Sequence, residues 1–211
     1  MKGRLDTAVN GCLLIATLLL VWRLSAGAKS KGSSGAAFET VSDSIWRESV
    51  SGEPLRIGPP VADTAVIFTD VQCPFCKSFE ATLNEVEKAV PHGIAKILLH
   101  FPLPQHPHSR AGATAVECAR RFGKADYAYG YLLEKQDSLE TMITPRLSRS
   151  FGIKDSIGFS GCMHDGVATI LARHASIAER LQIQGTPAVM LNGRLWRYPP
   201  SKEQLTTALR R

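Results

Sequence analysis

The chain has 211 residues, 44% of them hydrophobic and 21% charged, with 25 Lys and Arg against 19 Asp and Glu. Such a length and composition exclude a disordered or fibrous protein and give one folded domain that can bury its own core without staples. The net charge of +6 is carried by scattered residues such as Arg110, Arg120, Arg146 and Arg194, with no aromatic-interleaved stripe, so a solvated surface is expected and a nucleic-acid partner is not.

Lys2 and Arg4 precede an almost wholly apolar run from Ala8 to Trp22, and Ala26-Gly27-Ala28 then offers a small-x-small cleavage pattern. The run is shorter than the ~20 residues of a typical spanning helix and suits a signal-peptide core. Two readings stay open for residues 1–28: a cleaved export signal, or an uncleaved anchor in the inner membrane formed by residues 8–22. Both place the remainder in the periplasm or another extracytoplasmic space. Cys12, inside this segment, is the natural unpaired thiol of the five cysteines.

Residues 29–56 read as a linker and a short amphipathic helix from Phe38 to Val50. Val61 to Thr69 is apolar and partly β-branched, a buried strand. After Cys73-Pro74, apolar residues at 75, 79, 83, 86 and 90 recur at helical spacing up to Pro91. Ile94 to Phe101 is a second strand, so the chain opens a parallel sheet with a crossover helix. Helical patterns fill Ser109 to Gln184. Strands return at Ala188–Asn192 and Leu195–Tyr198 around an Asn192-Gly193 turn, the strongest short-range hairpin signal. A helix from Ser201 to Leu209 ends the chain, with Ser201 and Gln204 spaced as a capping box.

Cys73-Pro74-Phe75-Cys76 falls at the join of strand and helix. Cys73 at the N-terminus of a helix would meet unpaired N–H groups and the positive end of the helix dipole, which favour a thiolate. Pro74 suits the first helical position, and Cys76, one turn on, can resolve a mixed disulfide. Dithiol exchange needs an attacking sulfur that is exposed as well as ionised, and it needs no bound cofactor. A C-x-x-C can also be half of a zinc site, but Cys118 and Cys162 stand alone and His106-Pro107-His108 is the only tight histidine pair, so no metal is expected. His164 and His174 fall on helical surfaces.

Four stretches resemble the DsbA-like branch of the thioredoxin superfamily: Phe68–Cys76 with its Cys-Pro-Phe-Cys, Phe101–Pro104 followed by His106-Pro107-His108, Ala115–Ala119, and Gly185-Thr186-Pro187-Ala188-Val189. The resemblance covers residues 60 to 209. It implies an α/β thioredoxin fold, a central mixed sheet flanked by helices, spanning 57–211 with a helical insertion at about 105–184. It further implies catalytic Cys73 and Cys76, an active-site loop with Pro74 and Phe75, and a cis-proline at Pro187. Thr186 and Pro187 would then contact an extended substrate by strand addition. A structural disulfide between Cys118 and Cys162 is also implied; two buried free thiols is the alternative.

Two departures stand out. Pro74-Phe75 places no histidine between the cysteines, so the resemblance does not imply a strongly oxidising potential. Relatives also often carry a buried acid six residues before the first cysteine, where this chain has Ile67. Asp70 and Glu80 are candidate replacements, with plain surface roles expected for both. The expected activity is thiol–disulfide exchange on exported proteins, in the disulfide-forming direction, by a monomer that a membrane redox partner regenerates. A reductase or isomerase of the same fold, a zinc module and a redox-silent peptide-binding domain are the alternatives.

Overall fold

The structure, a computed structural model, describes residues 38–51, 55–57, 63–142 and 146–209. The expected export signal or anchor (residues 1–28), with Cys12, and residues 29–37 of the expected linker lie outside the described residues. Six strands are β1 (Glu39–Thr40), β2 (Leu55–Ile57), β3 (Thr64–Thr69), β4 (Ala95–His100), β5 (Ala188–Leu191) and β6 (Arg194–Trp196), in the spatial order β1-β6-β5-β3-β4-β2. β3 and β4 are parallel, joined by the crossover helix α2 (Pro74–Ala89); the other neighbours are antiparallel. The fold is a thioredoxin fold.

Alternation along β3 builds two cores. Val66 and Phe68 face one side, with Ile97 and Leu99 of β4; Ala65 and Ile67 face the other, with Leu98. On the second side lies α2, whose Cys76, Phe79, Leu83 and Val86 form one buried stripe, beside α9 (Lys202–Leu209) anchored by Leu205. The same core continues into α3 (Ser109–Arg120), α4 (Ala125–Glu134), a 3-10 turn (Gln136–Ser138), α5 (Leu139–Met142), α6 (Leu147–Ser150) and α7 (Ser156–Asp165).

The opposite face is covered by α1 (Asp43–Val50) and α8 (Ala168–Arg180). The last helix of the expected insertion is therefore a layer of the core fold, because Ile177, Ala178 and Leu181 seal the Val66–Phe68 side of the sheet.

Three local expectations shift. The short helix starts at Asp43, and Glu39–Thr40 instead extends the sheet beside β6. Leu55–Ile57, whose first two residues are expected as linker, pairs with Leu98, Ile97 and Lys96 as an edge strand. Both segments are too short to show periodicity alone. The hairpin forms as expected, with Asn192 and Gly193 at φ +49° and +78°. So does the capping box: the Ser201 N–H donates to Gln204 Oε1 at 2.8 Å and the Gln204 N–H to Ser201 Oγ at 3.3 Å.

Candidate active site

Cys73 is the N-cap of α2, and Pro74 is its first residue. The Cys73 carbonyl accepts from the N–H groups of Cys76 at 3.1 Å and Lys77 at 3.3 Å, which wraps the first turn around the sulfur. Both cysteines are thiols, and both are nearly covered, at 2% and 1% exposure; Pro74 and Phe75 between them are exposed, Phe75 at 67%. The expected exposed sulfur is thus corrected. Cys73 Sγ lies against the Thr186 carbonyl, to which its thiol donates at 3.3 Å, at the end of the cis Thr186–Pro187 bond.

The two sulfurs are driven apart in acidity. Hydrogen bonding from the Cys76 thiol leads the causes that bring Cys73 down to about 5, against the opposing effect of burial, and the Thr186 hydroxyl and the N–H groups of Cys76 and Phe75 add to it. That hydroxyl is buried and acts on both sulfurs, Cys76 as well as Cys73. Burial, followed by the hydrogen bond it gives to Cys73, pushes Cys76 far up. One sulfur is therefore ionised at neutral pH and the other protonated.

The loop before Cys73 is held from three directions. Asp70, expected at the surface, is 1% exposed: its Oδ1 accepts from the Gln72 N–H at 2.7 Å, and its Oδ2 accepts from the Leu103 N–H at 2.9 Å and lies 2.8 Å from His106 Nδ1. The correction has a physical reason, since a buried carboxylate must find donors and the loop after β4 supplies them. Gln72 Oε1 accepts from the His108 N–H at 2.9 Å. From the insertion, Gln136 Nε2 donates to the carbonyls of Val71 and Cys73 at 2.9 and 2.8 Å. Val71 also packs onto Gly112 of α3, whose missing side chain is what allows the approach.

Behind Cys76 the Asp70 N–H donates to its sulfur at 3.4 Å, and Thr69 Oγ1 bonds the buried Tyr129 hydroxyl at 2.8 Å. Burial, then the charges of Glu80 and Cys76, raise the Tyr129 phenol well above its ordinary value. Glu80 is not a surface group either. It pairs with the buried Lys96 at 3.0 Å, and Lys96 also reaches Asn84 at 3.1 Å and Glu87 at 3.4 Å, all on one stripe of α2. Ile67, where relatives often hold an acid, is an apolar residue of this same core.

His174 is likewise buried, at 1% exposure, contrary to the helical-surface expectation. Its Nδ1 accepts from the His100 N–H at 3.0 Å, and burial brings it down to about 3, so it is neutral. His100 Nε2 lies 3.3 Å from Glu117, which also holds Arg120 at 2.9 Å. His164 stays exposed. Cys118 of α3 and Cys162 of α7 are joined in a disulfide, Cα–Cα 5.7 Å. That bond removes both from any metal site shared with Cys73 and Cys76.

Beside the cysteines runs a cleft of about 800 Å³, lined by Phe75, Gln182, Gln184, Thr186, Pro187 and Tyr198 among others. Phe75, Thr186 and Pro187 come from the sequence motifs. Gln182, Gln184 and Tyr198 do not, nor does the loop-holding Gln136, and no local pattern marks any of them.

A C-x-x-C at a helix N-terminus, opposed by a cis-proline across a mixed sheet, defines a thioredoxin-type site. Residues 50–211 match the family model described as thioredoxin, and the chain belongs to that family. Among solved structures it is similar to a thioredoxin-like oxidoreductase from Silicibacter pomeroyi DSS-3 (21% identity, TM-score 0.66, covering 78% of this chain and 95% of that one). It is also similar to the thiol-disulfide exchange protein alpha-DsbA2 from Wolbachia pipientis (15% identity, TM-score 0.64, 79% and 91%). These likenesses show the shared fold. A curated relative, the Na(+)/H(+) antiporter NhaA 1 of Mycobacterium sp. (strain KMS), is 29% identical over 159 residues, which is 74% of this chain and 26% of the antiporter. The chain thus spans about a quarter of the length of the curated relatives it matches.

Proposed function

We propose that the protein is a thiol–disulfide oxidoreductase that forms disulfides in exported proteins through Cys73 and Cys76. The observation that carries this reading is the split between the two sulfurs: Cys73 brought down to about 5 at the helix N-terminus, Cys76 pushed up behind it. Two further features support it, the cis-proline loop against Cys73 and the open cleft beside it.

In the disulfide state, a substrate thiolate attacks Cys73 Sγ. The Cys73–Cys76 bond breaks, and Cys76 leaves and takes up a proton, the form its burial favours. A second substrate thiolate then attacks the substrate sulfur of the mixed disulfide, and Cys73 departs as a stabilised thiolate. Two electrons pass from the substrate dithiol to the enzyme pair. A leaving thiol of low pKa departs faster, and a stabilised reduced form makes the disulfide more oxidising, so the geometry favours this direction. A membrane redox partner takes the electrons back and restores the disulfide; the protein acts as a monomer in an extracytoplasmic space, without a bound cofactor.

The test is the reduction potential of the pair together with Cys73→Ser. A value near ~−120 mV fits disulfide formation and one near ~−270 mV fits a reductase. Exchange activity that survives Cys73→Ser refutes the reading altogether.

A further inference from the structure

The run Phe101-Pro102-Leu103-Pro104-Gln105-His106-Pro107-His108 plays no part in the exchange steps, yet it closes on the loop that carries Cys73. Pro102, Pro104 and Pro107 fix φ along this segment after β4. Turn bonds from the His106 N–H to Leu103 O at 3.0 Å and from the Ser109 N–H to His106 O at 3.1 Å fold it back before α3. The N–H of Leu103, the ring of His106 and the N–H of His108 then reach Asp70 and Gln72, which stand between β3 and Cys73.

Asp70 is the hub of this clamp. Its carbonyl accepts from the Cys73 N–H at 3.0 Å and its own N–H donates to Cys76 Sγ at 3.4 Å, so its backbone touches both cysteines. Its side chain, 0% exposed, faces the clamp: Oδ2 accepts from the Leu103 N–H at 2.9 Å and lies 2.8 Å from His106 Nδ1. A carboxylate only accepts, so Nδ1 of His106 carries the hydrogen. A buried carboxylate is costly for a fold to keep, and apolar packing would hold a loop at less cost. What the carboxylate adds is a fixed place for the amide of the same residue.

The atom that needs this amide in place is Cys76 Sγ. When a substrate thiolate bonds to Cys73 Sγ, the Cys73–Cys76 bond breaks and its electron pair leaves on Cys76 Sγ, before that sulfur takes up a proton. Negative charge thus develops on a buried atom, where it is disfavoured. A donor aimed at that atom in advance stabilises the charge as it forms. The hydroxyls of Thr69 and Thr186 also bond this sulfur, but each can rotate, and Thr69 is shared with Tyr129. The Asp70 amide cannot turn away while its loop is held.

We propose that His106 is a positioning residue for disulfide opening: through the Asp70 carboxylate it keeps the Asp70 N–H on the sulfur of Cys76 as that sulfur leaves. The proposal rests on the exchange reading above and adds to it a residue that bonds neither cysteine.

The test uses the full chain in its disulfide state and a reduced dithiol peptide. Stopped-flow rates of peptide oxidation are compared for wild type, His106→Leu and His106→Asn. In a second assay the reduced proteins are alkylated at Cys73 with iodoacetamide, a reaction in which Cys76 does not leave. His106→Leu should slow oxidation by about 10- to 100-fold, the scale of misplacing a pre-set contact. Its Cys73 alkylation should stay within about two-fold of wild type, because that reaction reads the Cys73 thiolate alone. His106→Asn, whose amide nitrogen takes the place of Nδ1, should bring oxidation back to within about three-fold. The ring is 19% exposed, so its loss leaves the cores intact; should His106→Leu still fail to fold, His106→Ala carries the same expectation. Oxidation unchanged by the loss of the ring, a His106→Asn protein as slow as His106→Leu, or alkylation slowed by the same factor as oxidation overturns the proposal and leaves the exchange reading intact. A wild-type disulfide that does not oxidise the peptide defeats both.

Discussion

The acidity of Cys73 can be read as stability. In the folded, reduced protein this thiol titrates at about 5, against 9.0 for the ordinary group. Between those values the unfolded chain binds the extra proton, so the stability of the reduced protein rises with pH across the window. The contribution is complete above pH 9 and is lost as pH falls through 5. From pH 7 to pH 4 the group gives up about two pH units of differential binding, roughly 2–3 kcal/mol. For a chain of this size that lowers Tm by about 5–10 °C. The same energy favours the reduced over the oxidised pair, by about 40–60 mV at pH 7.

Thermal melts of reduced wild type and Cys73→Ser from pH 4 to 9, with thiolate absorbance followed near ~240 nm in parallel, isolate the effect. Groups common to both proteins cancel in the difference. A thiolate midpoint near 5 and a wild-type advantage that disappears below it are expected. A midpoint near 8–9, with the two stability curves running parallel, refutes the account in which the Cys76 thiol, Thr186 and the first N–H groups of the helix hold this sulfur as a thiolate.

Three other outcomes follow from the packing. A methyl group added by Gly112→Ala would collide with Val71 Cγ2 of the active-site loop. The change should therefore destabilise by about 1–3 kcal/mol in denaturant melts, where an ordinary helical Gly→Ala stabilises, and Val71→Ala should recover part of the loss. Replacing Cys118 and Cys162 together by Ala opens a link across a sequence separation of 44 and should cost about 4 kcal/mol by the chain-entropy relation, measured by denaturant unfolding. His174, neutral with a pKa of about 3, gives stability that is full above its unfolded value of about 6.5 and is lost as pH falls towards 3. His174→Gln should thus flatten the acid limb of the stability curve, and an unchanged limb would exclude this residue as its source.

Local chemistry alone made much of the protein legible. Pro74 after Cys73 and the apolar repeat at 75, 79, 83, 86 and 90 specify a helix that begins at a sulfur, although the stripe the fold buries runs through Cys76 and leaves Phe75 exposed. Asn192-Gly193 specifies a hairpin, and Ser201 with Gln204 a cap. Each of these is decided by residues near one another in the chain. The DsbA-like resemblance added the cis bond at Pro187 and its place facing the cysteine pair, which no local pattern supplies.

Tertiary structure decided where the polar groups went. Asp70 and Glu80 look like surface residues in a window of ten, yet one is satisfied by the N–H of Leu103, 33 residues on, and the other by Lys96. Gln136 reaches Cys73 across 63 positions, and Arg197 reaches Glu39 across 158. Whether a charge is buried depends on which distant donors arrive beside it, and short-range propensity does not carry that information. For the same reason Gln182 and Tyr198 became the wall of a cleft only when the sheet brought the end of α8 and the end of β6 to the cysteines.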